Sequence, residues 1–345
     1  MTPLRIGYVA LTDAAVLIAA AEVGFARAEG LELILEREES WAAVRDKLVY
    51  GFIDGAHLLA PLAIATSLGL SGVKAPLAAP FALNLNGNAI TVSTALWREM
   101  AEHGAGEDAR SAALALGAVA RRRHARGADP LTVATVFPFS THTCQLRLFL
   151  AAGDLAFGPL VRLATVPPVH MVEALRTGAA DGICVGSPWN SVAVESGFGR
   201  IVALGTEIVP DCPEKVLALP RASAESAAWA GALVRALGRA AAWCADAGHR
   251  GELARLLGKR EHLDLDPALI RRSLDGRLIV NAVGTLRIDP AYLALGGEAH
   301  RPRPEHARWL VERMIEAGQA QPADRERAAA IYRPDLYEAA VREPA

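Results

Sequence analysis

Lysine is almost missing from this chain. Its 345 residues include only Lys47, Lys74, Lys215 and Lys259, against 32 arginines. The bias is the one a GC-rich genome imposes, and it makes each lysine conspicuous. Cysteine is equally sparse. Cys144, Cys184, Cys212 and Cys244 stand 40, 28 and 32 residues apart with no Cys-x-x-Cys pair, which argues against a structural zinc site. Cys144 and Cys184 fall on buried patterns and read as inert thiols. No run reaches the roughly 18 apolar residues a membrane-spanning helix needs. A net charge of −2 implies no long-range attraction to nucleic acid. The first residues enter a strand directly, without a charged n-region, an apolar h-region or a cleavage site, and the expectation is a cytoplasmic protein. Also missing are a P-loop, Gly-x-Gly-x-x-Gly, Gly-x-Ser-x-Gly, His-Glu-x-x-His and any visible convergent carboxylate pair. These absences point to a small ligand and to binding without catalytic turnover.

What is present is a repeat. Shifted by 127 positions, Leu48, Gly51, Asp54, Gly55 and Pro61 meet Leu175, Gly178, Asp181, Gly182 and Pro188. The matches fall on punctuating residues, so the chain reads as two related lobes. An apolar content of 52% and this length allow a large buried core. In the first lobe, strands are expected at 5–11, 31–37 and 53–59. Thr12 or Asp13 could cap the first intervening helix, and Ser40 caps the second, 41–50. The second lobe repeats the unit with strands 131–137, 160–166 and 182–186 and helices 141–152 and 169–177. Such β-α-β-α-β units imply parallel pairing. Between them come a strand at 88–93 and helical sequence at 94–126, whose arginine cluster at 121–126 reads as a solvated helix face.

Residues 200–204 and 215–219 look extended, and from 222 the pattern is almost wholly helical. The tail contains no third copy of the unit, so it is assigned to lobe one. The expected α/β architecture is therefore 1–88 with 199–345 as lobe one and 89–198 as lobe two. Two crossings would form a hinge, with the ligand cleft between the lobes at the strand C-termini. The twinned Asp54 and Asp181 suit a turn role, since a catalytic acid needs no twin.

Helix starts offer unpaired N–H groups to a small anion. Ser40-Trp41, Ser140-Thr141-His142 and Ser187-Pro188-Trp189 are such starts, and Gly182 and Gly186 allow close backbone approach. His142 is the strongest polar candidate. On spacing alone, Lys215 could be a ligand or an exposed lysine. Trp41 and Trp189 could line a cleft or simply fill the core, Asn88 could serve only the turn 84–88, and His170 reads as a capping or surface residue.

Several stretches together resemble the nitrate- and bicarbonate-binding proteins of ABC importers. They are Trp41-Ala-Ala-Val-Arg-Asp-Lys-Leu, Ile53-Asp-Gly-Ala-His, Asn86-Gly-Asn-Ala-Ile, Ser140-Thr-His with Leu146-Arg, Val166-Pro-Pro, Asp181-Gly-Ile-Cys-Val-Gly-Ser-Pro-Trp-Asn190 and Cys212-Pro-Glu-Lys215. The resemblance implies a type II periplasmic-binding-protein-like fold. Because the chain starts at its first strand, it looks most like the NasS-type cytoplasmic nitrate/nitrite sensors, which work with an ANTAR-domain antiterminator. The alternative is the substrate-binding subunit of a nitrate importer. A second rival, the pyrimidine synthases of thiamin biosynthesis, resembles a version with a cysteine-rich stretch, which the dispersed cysteines here do not match.

Carried over by resemblance, the ligand pocket falls on Trp41, Asn88, His142, Gly186 and Lys215. Asn88 stands where transporters tend to have glutamine. The pair His142 and Lys215 favours nitrate, since bicarbonate binders resemble glutamine and glutamate there. A lysine at 215 leaves no reason to expect a metal or other cofactor. The implied site is one of hydrogen-bond donors only. The implied partners are nitrate or nitrite and the antiterminator, with no direct contact to nucleic acid or membrane.

Overall fold

The computed structural model describes residues 1–342. They divide into two compact units. Unit 1 comprises Met1–Leu85, Pro213–Arg271 and the chain from Leu293 onward, and unit 2 comprises Asn86–Cys212 and Arg272–Tyr292. The chain therefore passes between units four times, where two crossings were expected.

Thirteen strands are described: β1 (Thr2–Val9), β2 (Leu31–Glu38), β3 (Gly55–Leu59), β4 (Leu77–Asn86), β5 (Asn88–Ser93), β6 (Leu131–Thr135), β7 (Val161–Thr165), β8 (Gly182–Gly186), β9 (Gly199–Leu204), β10 (Pro213–Pro220), β11 (Arg277–Ile279), β12 (Leu286–Ile288) and β13 (Leu293–Ala294). Unit 1 holds a sheet of order β13-β4-β10-β3-β1-β2, and unit 2 one of order β7-β6-β8-β5-β9. In unit 1, β1 is parallel to β2 and β3, and β10 runs antiparallel between β3 and β4. In unit 2, β6 is parallel to β7 and β8, and β5 runs antiparallel between β8 and β9. Each sheet is thus a parallel trio extended by an antiparallel strand. β3 and β8 are buried along their whole length, which is why they read as continuous rather than alternating apolar runs.

The boundary errors have a physical cause. β9 gives its backbone hydrogen bonds to β5, so the chain stays in unit 2 as far as Cys212 instead of leaving near 199. The segment Arg272–Tyr292 returns to unit 2, where the β11–β12 hairpin region is tied to β9 by Ile201 N–H donating to Val280 O at 3.0 Å. Nearby, the Thr206 hydroxyl donates to Asp289 Oδ2 at 2.5 Å. A short hairpin carries little sequence signal of which sheet will accept it. The remaining tail is largely helical, and its helix Ala228–Ala245 lies beside the buried helix Ala15–Glu22 in unit 1, with Cys244 Sγ 3.8 Å from Ala15 O.

The repeat is visible in atomic detail. Gly51 and Gly178 both adopt φ +74, a left-handed turn that glycine takes without strain. Asp54 Oδ2 accepts Arg5 N–H at 2.8 Å, and Asp181 Oδ2 accepts Thr132 N–H at 2.8 Å. The backbone closes the same ring: Asp54 N–H donates to Arg5 O at 2.8 Å and Asp181 N–H to Thr132 O at 2.7 Å. Each aspartate therefore ties the entry of the third strand of its trio to the first, which is the turn role expected of twins. The arginine cluster is less solvated than expected. Arg122 and Arg123 are half-buried against Glu99, and Arg123 also reaches Asp181 at 3.2 Å.

In unit 2 the helices Ala109–Ala125 and Thr141–Ala152 cover an apolar core that includes Leu116, Leu131, Phe149 and Cys184. They approach closely at two glycines. A Cβ on Gly117 would lie 2.1 Å from Gly153 O, and one on Gly153 would lie 2.1 Å from Ala113 O. Among the described residues, no helix is long and apolar enough to cross a membrane.

Candidate functional site

Lys215 lies on β10, in register with Leu59 of β3 and Asn84 of β4, in the middle of the unit 1 sheet. It is fully buried. An isolated ammonium there would lose its hydration without return, so the fold must supply counter-charge. It supplies two: Asp13 Oδ2 lies 2.8 Å from the ammonium and Glu214 Oε1 lies 2.6 Å away. Burial by itself would push the Lys215 pKa down, but the two carboxylates outweigh it and hold the ammonium above its ordinary range. For Asp13, burial works to raise the pKa, while Lys215 and His57 overcome it and hold the carboxyl well below the usual carboxylate range.

His57, on β3, is also fully buried, with Nε2 2.9 Å from Asp13 Oδ1. Burial pushes its pKa down and Lys215 adds to that, against the opposing pull of Asp13, so the ring is neutral at pH 7. Trp41 opens the helix Trp41–Val49, which Ser40 caps by accepting Ala43 N–H at 3.2 Å. Its ring centroid lies 5.4 Å from that of His57 and 5.3 Å from the Lys215 ammonium. Trp41 Nε1 and His57 Nδ1 are buried with no hydrogen-bond partner among the described residues. Unit 1 thus brings Trp41 and Lys215 together.

Unit 2 carries Asn88, His142 and Gly186. Asn88 on β5 is in register with Gly186 on β8, so these two are cross-strand neighbours. The Asn88 amide donates from Nδ2 to Gln145 Oε1 at 3.3 Å. Gln145 lies one turn beyond His142 on the helix Thr141–Ala152. Ser140 accepts Thr143 N–H at 3.1 Å and donates to Phe137 O at 2.6 Å, while the Thr135 and Thr143 hydroxyls sit 2.9 Å apart. These bonds anchor the helical turn that carries His142, which is fully buried. Of the other residues weighed, Ser187 bonds the Tyr292 hydroxyl at 2.9 Å, Asn190 serves the sheet through Thr91 and Val185 O, and His170 is exposed.

Two expectations need correction. The residues do not form a donors-only set, because Lys215 arrives already paired with two carboxylates. A convergent carboxylate pair does exist: Asp13, which could have been a helix cap, instead points its side chain to Lys215 and His57 beside Glu214, and the short helix Thr12–Ala14 that contains it is capped by no side chain. Sequence reasoning missed Asp13 and Gln145 as site residues, and took His57 and Glu214 only as parts of matching stretches. The available signal was that Asp13 and His57 sit within long apolar runs, where a buried polar group requires a partner. Among the described residues, no group of three or more His, Cys, Asp or Glu is arranged to hold a metal.

The chemistry on offer is anion recognition by N–H donors next to a compensated ammonium. The chain is 34% identical over 328 residues to the bicarbonate transport ATP-binding protein CmpC of Synechocystis, covering 91% of this chain and 46% of that protein. It is 33% identical over 270 residues to the nitrate/nitrite binding protein NrtA of Synechocystis, covering 76% of this chain and 57% of that one. The chain spans about half the length of the curated relatives it matches. The crystal structure of the periplasmic nitrate-binding protein NrtA from Synechocystis superposes with a TM-score of 0.90 at 28% identity, over 99% of this chain and 89% of that one. The fold is therefore α/β and periplasmic-binding-protein-like. With residues 1–258 matching its family description, the chain belongs to the NMT1-like family.

Proposed function

We propose that this protein binds nitrate or nitrite, without turning it over, as a substrate-binding component of an ABC import system. The observation that carries the reading is the likeness to nitrate-binding NrtA along nearly the whole chain, combined with a buried lysine beside an unpartnered indole N–H. Nitrate is planar, has three acceptor oxygens and no donor, and is weakly hydrated, so it suits a site of N–H groups. Two of the three Lys215 N–H bonds point to carboxylates, which leaves one for a ligand. Trp41 supplies a second donor, and Asn88, His142 and Gly186 are the unit 2 residues assigned to the anion. Asp13 and Glu214 favour a monoanion over sulfate, because a second negative charge would face both carboxylates.

Calorimetry of the purified protein against nitrate, nitrite, bicarbonate and sulfate tests this. Heat of binding is expected with nitrate or nitrite and not with sulfate, and a preference for bicarbonate would refute the reading. The relatives support delivery to an importer more than a cytoplasmic sensing role. Size-exclusion chromatography with an ANTAR-domain antiterminator separates the two roles. A complex that forms without ligand and dissolves in nitrate would assign the sensor role, and nitrate uptake by a reconstituted permease would assign the import role.

A further inference from the structure

We infer that binding of the anion in unit 1 is coupled to the uptake of a proton, and that His57 is the group that accepts it. The inference rests on the nitrate reading and adds its regulation by pH. The cluster holds one ammonium and two carboxylates within 2.6–2.8 Å, all buried. Its net charge with a neutral His57 is therefore one negative. Adding a monoanion raises this to two in a low-dielectric interior, where like charges repel strongly. Nitrate is the anion of a strong acid, so a proton taken up on binding must reside on the protein.

The geometry selects His57. Nε2 faces Asp13 Oδ1 at 2.9 Å, so the neutral ring keeps its hydrogen on Nε2 and a bare lone pair on Nδ1. That Nδ1 is buried without a partner. Protonation there creates a new N–H donor and a positive charge, while Asp13 already balances the ring from the other side.

The surroundings leave few competitors. From β10 come Lys215 and Glu214, and from the turn after β1 comes Asp13. Arg5 on β1 pairs with Glu36, and the Tyr8 hydroxyl is turned to Glu261 O at 3.2 Å. On the helix Trp41–Val49, Arg45 pairs with Asp46, and Lys47 pairs with Glu36 and Glu38. The helix Ala60–Leu68 has no titratable side chain. Burial, and after it Lys215, keep the ring neutral. An anion beside Lys215 offsets the second of these and adds its own negative charge to the pull of Asp13, both of which favour the protonated ring.

The test is nitrate calorimetry on the full chain at pH 7.5, in buffers that differ in ionisation enthalpy. The dependence of the measured heat on buffer enthalpy counts protons. The expected count is close to one for the wild type and close to zero for His57→Gln, and affinity should fall by up to about tenfold per pH unit on the alkaline side in the wild type alone. Ring nitrogen shifts of His57 in the wild type provide a check that needs no variant, and nitrate should convert them from neutral to imidazolium values. Nitrate heat with no buffer dependence, a ring that stays neutral, or a His57→Gln protein that keeps the wild-type count each overturns the coupling while leaving nitrate binding standing. Absence of heat with both nitrate and nitrite overturns the binding reading and this inference with it.

Discussion

Replacing Lys215 by methionine isolates the electrostatics of unit 1. Methionine nearly matches the lysine stem in volume, so the change removes a charge and little packing. What remains is Asp13 and Glu214, both buried, having lost the ammonium that stood 2.8 and 2.6 Å away. Removing one partner of a buried ion pair costs about 3–5 kcal/mol, because the other is left uncompensated. At about 2–4 °C per kcal/mol for a domain of this size class, the unit 1 melting transition should fall by roughly 6–20 °C. The double variant Lys215→Met with Glu214→Gln should recover about half or more, since only the Asp13 carboxylate is then left uncompensated and it keeps its hydrogen bond from neutral His57 at 2.9 Å. Differential scanning calorimetry of the wild type, both singles and the double closes the cycle. Should Lys215→Met melt within about 1 kcal/mol of wild type, or the double melt below Lys215→Met, the compensated-ammonium account is wrong. In the same proteins, loss of a charge-assisted bond should weaken nitrate binding by about 10- to 150-fold.

Three further outcomes are expected. Gly117→Ala places a Cβ 2.1 Å from Gly153 O, so two helices must separate, and urea unfolding should show a loss of about 1–3 kcal/mol, absent for the same change at Gly238, where a Cβ meets nothing within 4 Å. Asp181→Ala, which removes a half-buried carboxylate accepting Thr132 N–H and facing Arg123, should cost about 1.5–3 kcal/mol and more than its exposed twin Asp54→Ala; equal losses would show that burial does not set the difference. Acidification should destabilise unit 1 through His57, His262 and His300, whose pKa values burial pushes below the ordinary one. The unfolded chain takes up protons near about pH 6.5 where the folded ring does not, so stability is present above that pH and declines below it. A melting temperature that stays flat or rises between pH 7.5 and 5.5 would contradict this.

What the sequence determined by itself was local in origin. The spacing of Gly51, Asp54 and Gly55, and its copy at Gly178, Asp181 and Gly182, specifies a left-handed turn followed by an aspartate that pins two parallel strands, and the structure builds that turn twice. Ser40 and Ser140 announce the helices they cap because capping acts over three residues. The parallel trios follow from strand–helix alternation. Which remote strand would complete each sheet was left to the tertiary structure. β9 and the Arg272–Tyr292 excursion join unit 2 because their backbone groups find partners there, and a strand's own residues do not name its neighbour. The same holds for the site. A lone lysine in an apolar strand declares that it needs a counter-charge, and Glu214 stands next to it in the chain, but Asp13 and His57 become its company only when β1, β3 and β10 lie side by side. Local propensity reaches a few residues along the chain, whereas charge compensation in a dry interior is settled by what the fold brings within about 3 Å, the reach of a hydrogen bond.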